Sequence, residues 1–352
     1  MATTFKTITA NDVTNTRTLL HEAIPLTGTI ASGTYADANI KKFSHGMFES
    51  VYDYPYLSSS ANHIFDLTFG YSSTSNYNAA ASVQNSKKIN IYNQMAAVLV
   101  GHDSTGAIQR FDQDGNIAAG GEKMDEAIFV NFSRLLSKDE IKKDSFRFTI
   151  VTGGAPSAFL ANTTLTVGDY GASTSYLVNS PAGEYAVLYT SSATPNANSG
   201  VGLLYYQAGV AVLSSSIFGG NLHGGVAGKT SLGPGIASGT LESLATGSSI
   251  DVVADSFRNR IVDIDFNNTV ELNSTIYFCR ANHNEFNYSA NPTYLSSSQI
   301  RVKNTTSDNP VSYITTVGLY SSDNELLATA KLSEPLKKDP NTELTIRVRL
   351  DY

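Results

Sequence analysis

Strict alternation of apolar and polar residues limits most tightly what this chain can fold into, because successive side chains of a strand point to opposite faces of a sheet. It is clearest at the C-terminal end. Ile346, Val348 and Leu350 alternate there with Arg347, Arg349 and Asp351, which predicts a half-buried strand over residues 344–350 that pins this end into a sheet. Upstream, Ile314, Val317 and Leu319 precede the turn Ser321–Asn324, and Leu326, Leu327 and Ala328 follow it. That order predicts a hairpin.

The same period recurs elsewhere. Ile128, Val130 and Phe132 alternate, as do Phe146, Phe148 and Ile150, with the charged connector Ser137–Asp144 between them; a long hairpin or strand pair is expected. Val201–Tyr206 and Val210–Leu213 flank Gln207–Gly209 as a further hairpin. Short strands are expected around Leu165, Leu177 and Tyr185–Tyr189, and again over Val262–Phe266 and Val270–Leu272.

Four windows read as helices. Asn11–Ala23 has Asp12 or Thr14 as a cap and Pro25 as a stop. Ser58–Phe69 places Ile64, Phe65 and Phe69 on one face. In Lys87–Val100, Ile91, Met95, Val98 and Leu99 recur at helical spacing before Gly101. Ile250–Ile261 carries Arg258 and Arg260 in its last turn. The expected class is α+β, predominantly β, with a few helices in the N-terminal half, a β-rich insertion and a β-sandwich-like C-terminal region. Composition shifts toward Gly, Ser and Thr near residue 150 and back near 260. This suggests an N-terminal α+β region (1–150), a peripheral insertion (151–260) with a long surface loop over 219–239, and a C-terminal β region (261–352), with residues 276–352 as an assembly module.

Composition narrows the function classes. Of the 352 residues 41% are hydrophobic, enough for a core, and the formal net charge is −7, which argues against a nucleic-acid surface. No signal core and no run of about 18 apolar residues occurs, so a soluble protein made in a reducing cytoplasm, with no membrane partner, is expected. The single Cys279 excludes an intrachain disulfide and reads as a small hydrophobe in a strand. The triplets at Asn131, Asn162 and Asn287 read as chance products of a Ser/Thr/Asn-rich chain.

Several patterns resemble sites and fail on spacing. Gly224–Thr230 ends like a phosphate-binding loop, but His223 stands where that motif needs Gly. Asp112–Asn116 offers alternating oxygens as a calcium loop does, yet its twelfth position is Lys123, with Glu122 one off; Asp-Gly is equally a turn signal. His21, His45, His63, His102, His223 and His283 show no helical zinc spacing, and no nucleophile elbow is present. Aromatics from Tyr35 to Tyr56, including a tyrosine cluster around Pro55, read as an assembly interface or, alternatively, a binding platform. Asn284, Glu285, Asn287 and Asn291 around Phe286 and Tyr288 read as side chains that bond loop backbone or, alternatively, as a recognition loop. No catalytic, cofactor-binding or metal-ligating residue is assigned.

Six longer strings carry a family resemblance. Asn284–Tyr294 (NEFNYSANPTY), the run YITTVGLYSSDNELLATAKLSEPLKK from Tyr313, and the closing IRVRLDY resemble virion structural proteins of contractile-tailed bacteriophages, mainly marine ones. So do SVYDYPYLSSSANHIFDLTFGY from Ser50, KKINIYNQMAAVLVG from Lys87 and FSRLLSKDEIKKDSF from Phe132. The GLY…NELLATAKL…P stretch also resembles the attachment region of tail-collar fibre proteins. The resemblance leaves residues 150 to 260 uncovered. It implies a place in the phage tail, in the baseplate or at the fibre-attachment site, with other virion proteins and symmetric copies as partners and no enzymatic activity. An adhesin for a receptor or carbohydrate is the alternative, weakened by the absence of Trp; neck, collar and capsid-decoration roles remain open.

Overall fold

Backbone N–H and C=O groups must be paired wherever they are buried, and here strand ladders do most of that pairing. The computed structural model describes residues 5–25, 37–78, 82–117, 123–151, 164–190, 200–217, 245–258, 260–288, 295–296, 299–300 and 310–352. The strands are β1 (Val13–Pro25), β2 (Ile40–Lys42), β3 (Glu49–Tyr52), β4 (His63–Tyr71), β5 (Glu126–Phe132), β6 (Glu140–Ile141), β7 (Arg147–Val151), β8 (Thr164–Gly168), β9 (Leu177–Ser180), β10 (Gly183–Leu188), β11 (Gly202–Tyr205), β12 (Val210–Ser214), β13 (Ile261–Ala281), β14 (Leu295–Ser296), β15 (Gln299–Ile300), β16 (Ser312–Tyr320), β17 (Leu326–Lys338) and β18 (Leu344–Asp351). Two longer helices join them, α1 (Val83–Leu99) and α2 (Ile250–Arg258). The class is α+β and predominantly β, as the alternation predicts.

The chain divides into two compact units, residues 20–270 and residues 1–19 with 271–352, and passes between them within β1 and β13. In the larger unit an eight-stranded sheet runs β2-β3-β4-β5-β12-β11-β10-β9, with every neighbouring pair antiparallel. Its central strands are apolar on both faces: Ile128, Phe129 and Val130 of β5, and Val210 through Leu213 of β12, are all buried. β7 pairs with β8 on one side and with the first part of β13 on the other. Phe132 of β5 packs on Phe146 and Phe266, with ring centroids 5.8 and 5.2 Å apart.

Residue 150 is not a boundary in this unit. β9–β12 complete the sheet that β2–β5 begin, so the described part of the expected peripheral insertion is core. The physical reason is the buried edge of β5, which β12 pairs residue for residue from Val210↔Asn131 to Ser214↔Ala127. Residues 219–239, the expected surface loop, and Gly224–Thr230 lie outside the described residues.

Three local expectations are corrected. The expected helix over Asn11–Ala23 is the strand β1: Asn15 meets Thr275, Arg17 meets Glu271 and His21 meets Thr269 of β13, and this long-range pairing overrides a weak helical pattern. The window Ser58–Phe69 is a turn followed by β4, in which Phe65, Leu67, Phe69 and Tyr71 are buried at period two. The stretches around Phe132 and Phe146 do not pair with each other; β5 pairs with β4 and β12, and β7 with β8 and β13.

The third expected helix is α1, capped by Ser82 Oγ, which accepts from the Asn85 backbone N–H at 3.1 Å. It ends at Gly101, whose positive φ of 91° suits glycine. Its buried face is Lys88, Ile91, Tyr92, Ala96 and Leu99; Val98, expected inside, is exposed. The α1 backbone sits directly on β4 at Gly70, where an added Cβ would stand 2.7 Å from Lys88 O and 2.8 Å from Tyr92 N. α2 begins at Ile250 as expected, and Val253, Ala254 and Phe257 are buried.

The smaller unit contains the hairpin β16–β17, paired from Ser312↔Lys338 to Tyr320↔Leu326. Register slips at its middle, where Ile314 faces Leu336 and Thr316 faces Lys331, so Leu332–Pro335 form a wide bulge. β18 pairs with β13 from Ala281↔Leu344 to Ser274↔Asp351. As the alternation predicts, Val348 is buried while Arg347 and Arg349 are exposed. Cys279 is half-buried in β13 opposite Ile346.

The close approach at Gly70 gives a direct test. Gly70→Ala forces the α1 backbone away from β4 and is expected to cost about 1–3 kcal/mol, read as a lower urea midpoint at unchanged slope. A midpoint equal to wild type would refute the packing described.

Candidate functional site

The residues that carry the family resemblance at the C-terminal end assemble into one arrangement, a hairpin rooted in a polar loop. Ser312 and Lys338 face each other at the base of β16–β17, and both reach into the loop 282–288. The Lys338 ammonium is fully buried and donates to His283 O at 3.2 Å, Asn287 Oδ1 at 2.6 Å and Asp339 O at 2.9 Å. Ser312 Oγ donates to Phe286 O. Asn287 Nδ2 donates to His283 O at 2.8 Å, and Glu285 accepts from the Asn282 backbone N–H at 3.1 Å. Phe286 sits at a positive φ of 57°, a conformation that a loop must hold in place for a bulky residue. Of the residues read as bonding loop backbone, Glu285 and Asn287 do so. Asn291 lies outside the described residues. Burial lowers the Lys338 pKa, against the pull of the Asp339, Glu285 and Glu343 carboxylates.

Beyond its root the hairpin is open to solvent. Tyr313 is 61% exposed and Leu327 68% exposed, and Tyr320, Leu326 and Leu336 are exposed as well. Tyr320 meets the ring of Phe5 at 4.9 Å. β1 is comparably open, with every residue from Thr14 to Ala23 exposed. A second apolar surface lies at the turn after β3, where the Ser58 N–H bonds Pro55 O. Tyr54, Tyr56 and Leu57 are exposed there, and the Tyr52 ring lies between Tyr56 and His63. The cluster around Pro55 is therefore a surface feature.

Several charged groups elsewhere in the larger unit are enclosed and paired with one another, although Glu49 Oε2, Tyr71 Oη and Tyr205 Oη are buried without a hydrogen-bond partner among the described residues. Glu49, Arg258, Asp255 and Lys42 form a chain of ion pairs between β3, α2 and β2. Burial, with the Asp255 carboxylate beside it, lifts Glu49 to about 8 against the pull of Arg258. Asp255 is half-buried, and hydrogen bonds from Arg258 and Lys42 hold it below the usual carboxylate range against that desolvation. Asp169 accepts from Tyr206 Oη at 2.8 Å and from the backbone N–H groups of Asp144 and Phe146; burial raises it to about 6. Lys88 Nζ donates to Ser248 O at 2.7 Å and to Ala245 O with its side chain fully buried, and burial lowers it to about 8. Sequence reasoning missed these residues; the signals available were the position of Lys88 three residues before Ile91, on the apolar face of α1, and the Asp255–Arg258 spacing of an ion pair.

The rejected motifs can be placed. Asp112 is buried and paired with Lys123, the cation at the position a calcium loop would fill with Glu; Asp114 Oδ1 accepts from the Asn116 N–H in a turn. Ser50, Asp66 and His63 lie together, but Asp66 accepts from Ser50 and bonds His63. Both bond the same oxygen, Asp66 Oδ1, so the carboxylate sits between the hydroxyl and the imidazole, unlike a serine triad, in which the imidazole bonds the hydroxyl. An open cleft of about 400 Å³ is lined by His102, Gln109, Asn116 and Asn179 among others, and the described residues of its wall include no carboxylate or lysine. Among the described residues no three His, Cys, Asp or Glu side chains gather around a metal position, and no helix is long and apolar enough to cross a membrane. No family model, curated protein or solved structure matches the chain.

Two measurements follow from the buried lysines. Replacing Lys338 with Met leaves three acceptors without their donor and should cost about 2 kcal/mol, with amides of residues 282–288 exchanging faster while those of β5 and β12 keep their rates. Lys88 titrates lower in the folded chain than in the unfolded one, so the unfolded chain binds more protons between pH 8 and the ordinary lysine range. Stability tied to Lys88 is thus present at high pH and lost as pH falls through about 8. Relative to Lys88→Met, wild type should gain roughly 2 kcal/mol between pH 8 and pH 10; parallel pH profiles would contradict this.

Proposed function

We propose that the chain is a structural subunit of a bacteriophage virion, in the tail baseplate or at the fibre-attachment site, made in the cytoplasm of a bacterial host. It works through contacts with other tail proteins and with symmetric copies of itself, and needs no cofactor, metal or catalytic step. The observation that carries this is the hairpin β16–β17. A two-stranded ladder with apolar side chains exposed over most of its length is marginal alone, and it is built from the residues that resemble phage attachment regions. Its root is hydrogen-bonded to the loop 282–288, and most of its side chains are exposed. These properties suit a docking element presented from a scaffold.

An adhesin is the second reading, favoured by the exposed Tyr54, Tyr56 and Leu57 at one turn. Amphipathic tyrosine rings suit sugar or protein surfaces equally.

Mass spectrometry of purified particles, followed by tracing the chain in a cryo-EM map of the virion, decides the assignment. The expected result is a stoichiometric component located in the tail with β16–β17 against a neighbouring protein. Absence from purified particles would overturn it, and glycan-array binding abolished by Tyr54→Ala would favour the adhesin.

A further inference from the structure

Two lysines are fully buried among the described residues, Lys88 and Lys338, and they differ in what meets the nitrogen. Lys88 Nζ meets the backbone carbonyls of Ala245 and Ser248. Lys338 Nζ meets two backbone carbonyls and one side chain, the Asn287 carboxamide, whose Oδ1 is 2.6 Å away. That carboxamide is itself only 8% exposed. A lysine offers donors alone, so the carboxamide must turn its oxygen toward Nζ. Its Nδ2 is tied at 2.8 Å to His283 O, the same oxygen that Lys338 Nζ bonds at 3.2 Å. A C=O bond of about 1.23 Å then puts Asn287 Cγ within about 4 Å of Nζ, next to the near-attack range of about 3–3.5 Å. The loop holds this geometry. Phe286, beside Asn287, keeps its positive φ with Ser312 Oγ bonded to its carbonyl, and strand pairing sets Ser312 opposite Lys338. An amine, a carboxamide carbon and the nitrogen that would leave it are thus held together out of bulk water. Burial also favours the uncharged amine, the form that attacks a carbonyl carbon.

We propose that Lys338 and Asn287 join in an intramolecular isopeptide bond. Lys338 Nζ adds to Asn287 Cγ, a new C–N bond forms, the Cγ–Nδ2 bond breaks and Nδ2 departs. Two of the three protons of the Lys338 ammonium go with it, so the leaving group is ammonium, and atoms and charge balance without an oxidant, a reductant or a co-reactant. The carboxylates of Asp339, Glu285 and Glu343 act on Lys338 and are the groups that can carry these protons. The hydrogen-bonded arrangement is the state from which the bond forms. Its product ties the end of β17 to the loop after β13, residues 51 apart in sequence, so the root of the hairpin resists pulling through a covalent link rather than through hydrogen bonds. The bond needs nothing but this chain, so it forms or fails to form whatever the place of the chain in a virion.

The test is mass spectrometry of the full chain, purified and kept folded at neutral pH for several days. Wild type should weigh less than its sequence by one ammonia. A tryptic digest should yield a branched peptide that joins Asn287 to Lys338, with no cleavage after Lys338. Lys338→Met and Asn287→Ala should each keep the full sequence mass. The wild-type mass and its branched peptide decide the matter even where a variant folds poorly. A wild type at full sequence mass would overturn the inference, as would a branched peptide at any other pair of residues. So would an ammonia loss without a branched peptide, which traces to cyclisation of an asparagine onto its own backbone, or a loss that persists in Asn287→Ala.

Discussion

A strand has two hydrogen-bonding edges, and at twenty-one residues β13 has more edge to satisfy than any other strand among the described residues. One edge is met in three pieces, by β7 at Ile261–Asp265, by β6 at Asn268–Thr269 and by β18 at Ser274–Ala281. β1 follows the other edge, where Asn15 meets Thr275 and the Glu22 N–H reaches Asn268. At the middle, side chains complete what the ladders leave open. Asn268 is fully buried; it accepts from the Glu22 N–H and donates to Leu136 O at 3.0 Å. The Lys142 N–H bonds Asn267 O and the Asp139 N–H bonds Thr269 O. The polar stretch Asn267-Asn-Thr269 thus sits inside a strand with its backbone bonded to neighbouring segments and the buried Asn268 amide both donating and accepting.

What the sequence made legible was local. The hairpins β11–β12 and β16–β17 and the strand β18 follow from short-range alternation and turn residues, and α1 and α2 from helical spacing. β4 was hidden because Ile64, Phe65 and Phe69 also satisfy a helical face; only pairing with β3 and β5 selects the extended form, in which Leu67 and Tyr71 join the core. β1 was hidden for the opposite reason. With every residue from Thr14 to Ala23 exposed it has almost no apolar pattern, and it is a strand because β13 needs a neighbour. Composition misplaced the division at residue 150, since Gly, Ser and Thr are as compatible with β9–β12 in a core sheet as with a displayed loop.

The site was legible only as a string. Asn-rich turns announce backbone bonding, but nothing near Asn287 in sequence points to Lys338, fifty-one residues on, as the cation that organises the loop. Buried lysines leave little trace in a linear pattern because their usual place is solvent. Lys88 and Lys338 are recognisable only once carbonyl oxygens converge on them. Both act as fixed points for backbone, one for the segment 245–248 and the other for the loop 282–288.

Pro335 has a consequence for how far the sheet of this hairpin can grow. It brings no N–H to β17, and the bulge around it breaks the spacing that an incoming chain would need to follow. Strand addition on the β17 side is thereby blocked. A ladder guarded on one flank cannot grow in both directions, as the stacked strands of open-ended fibres do.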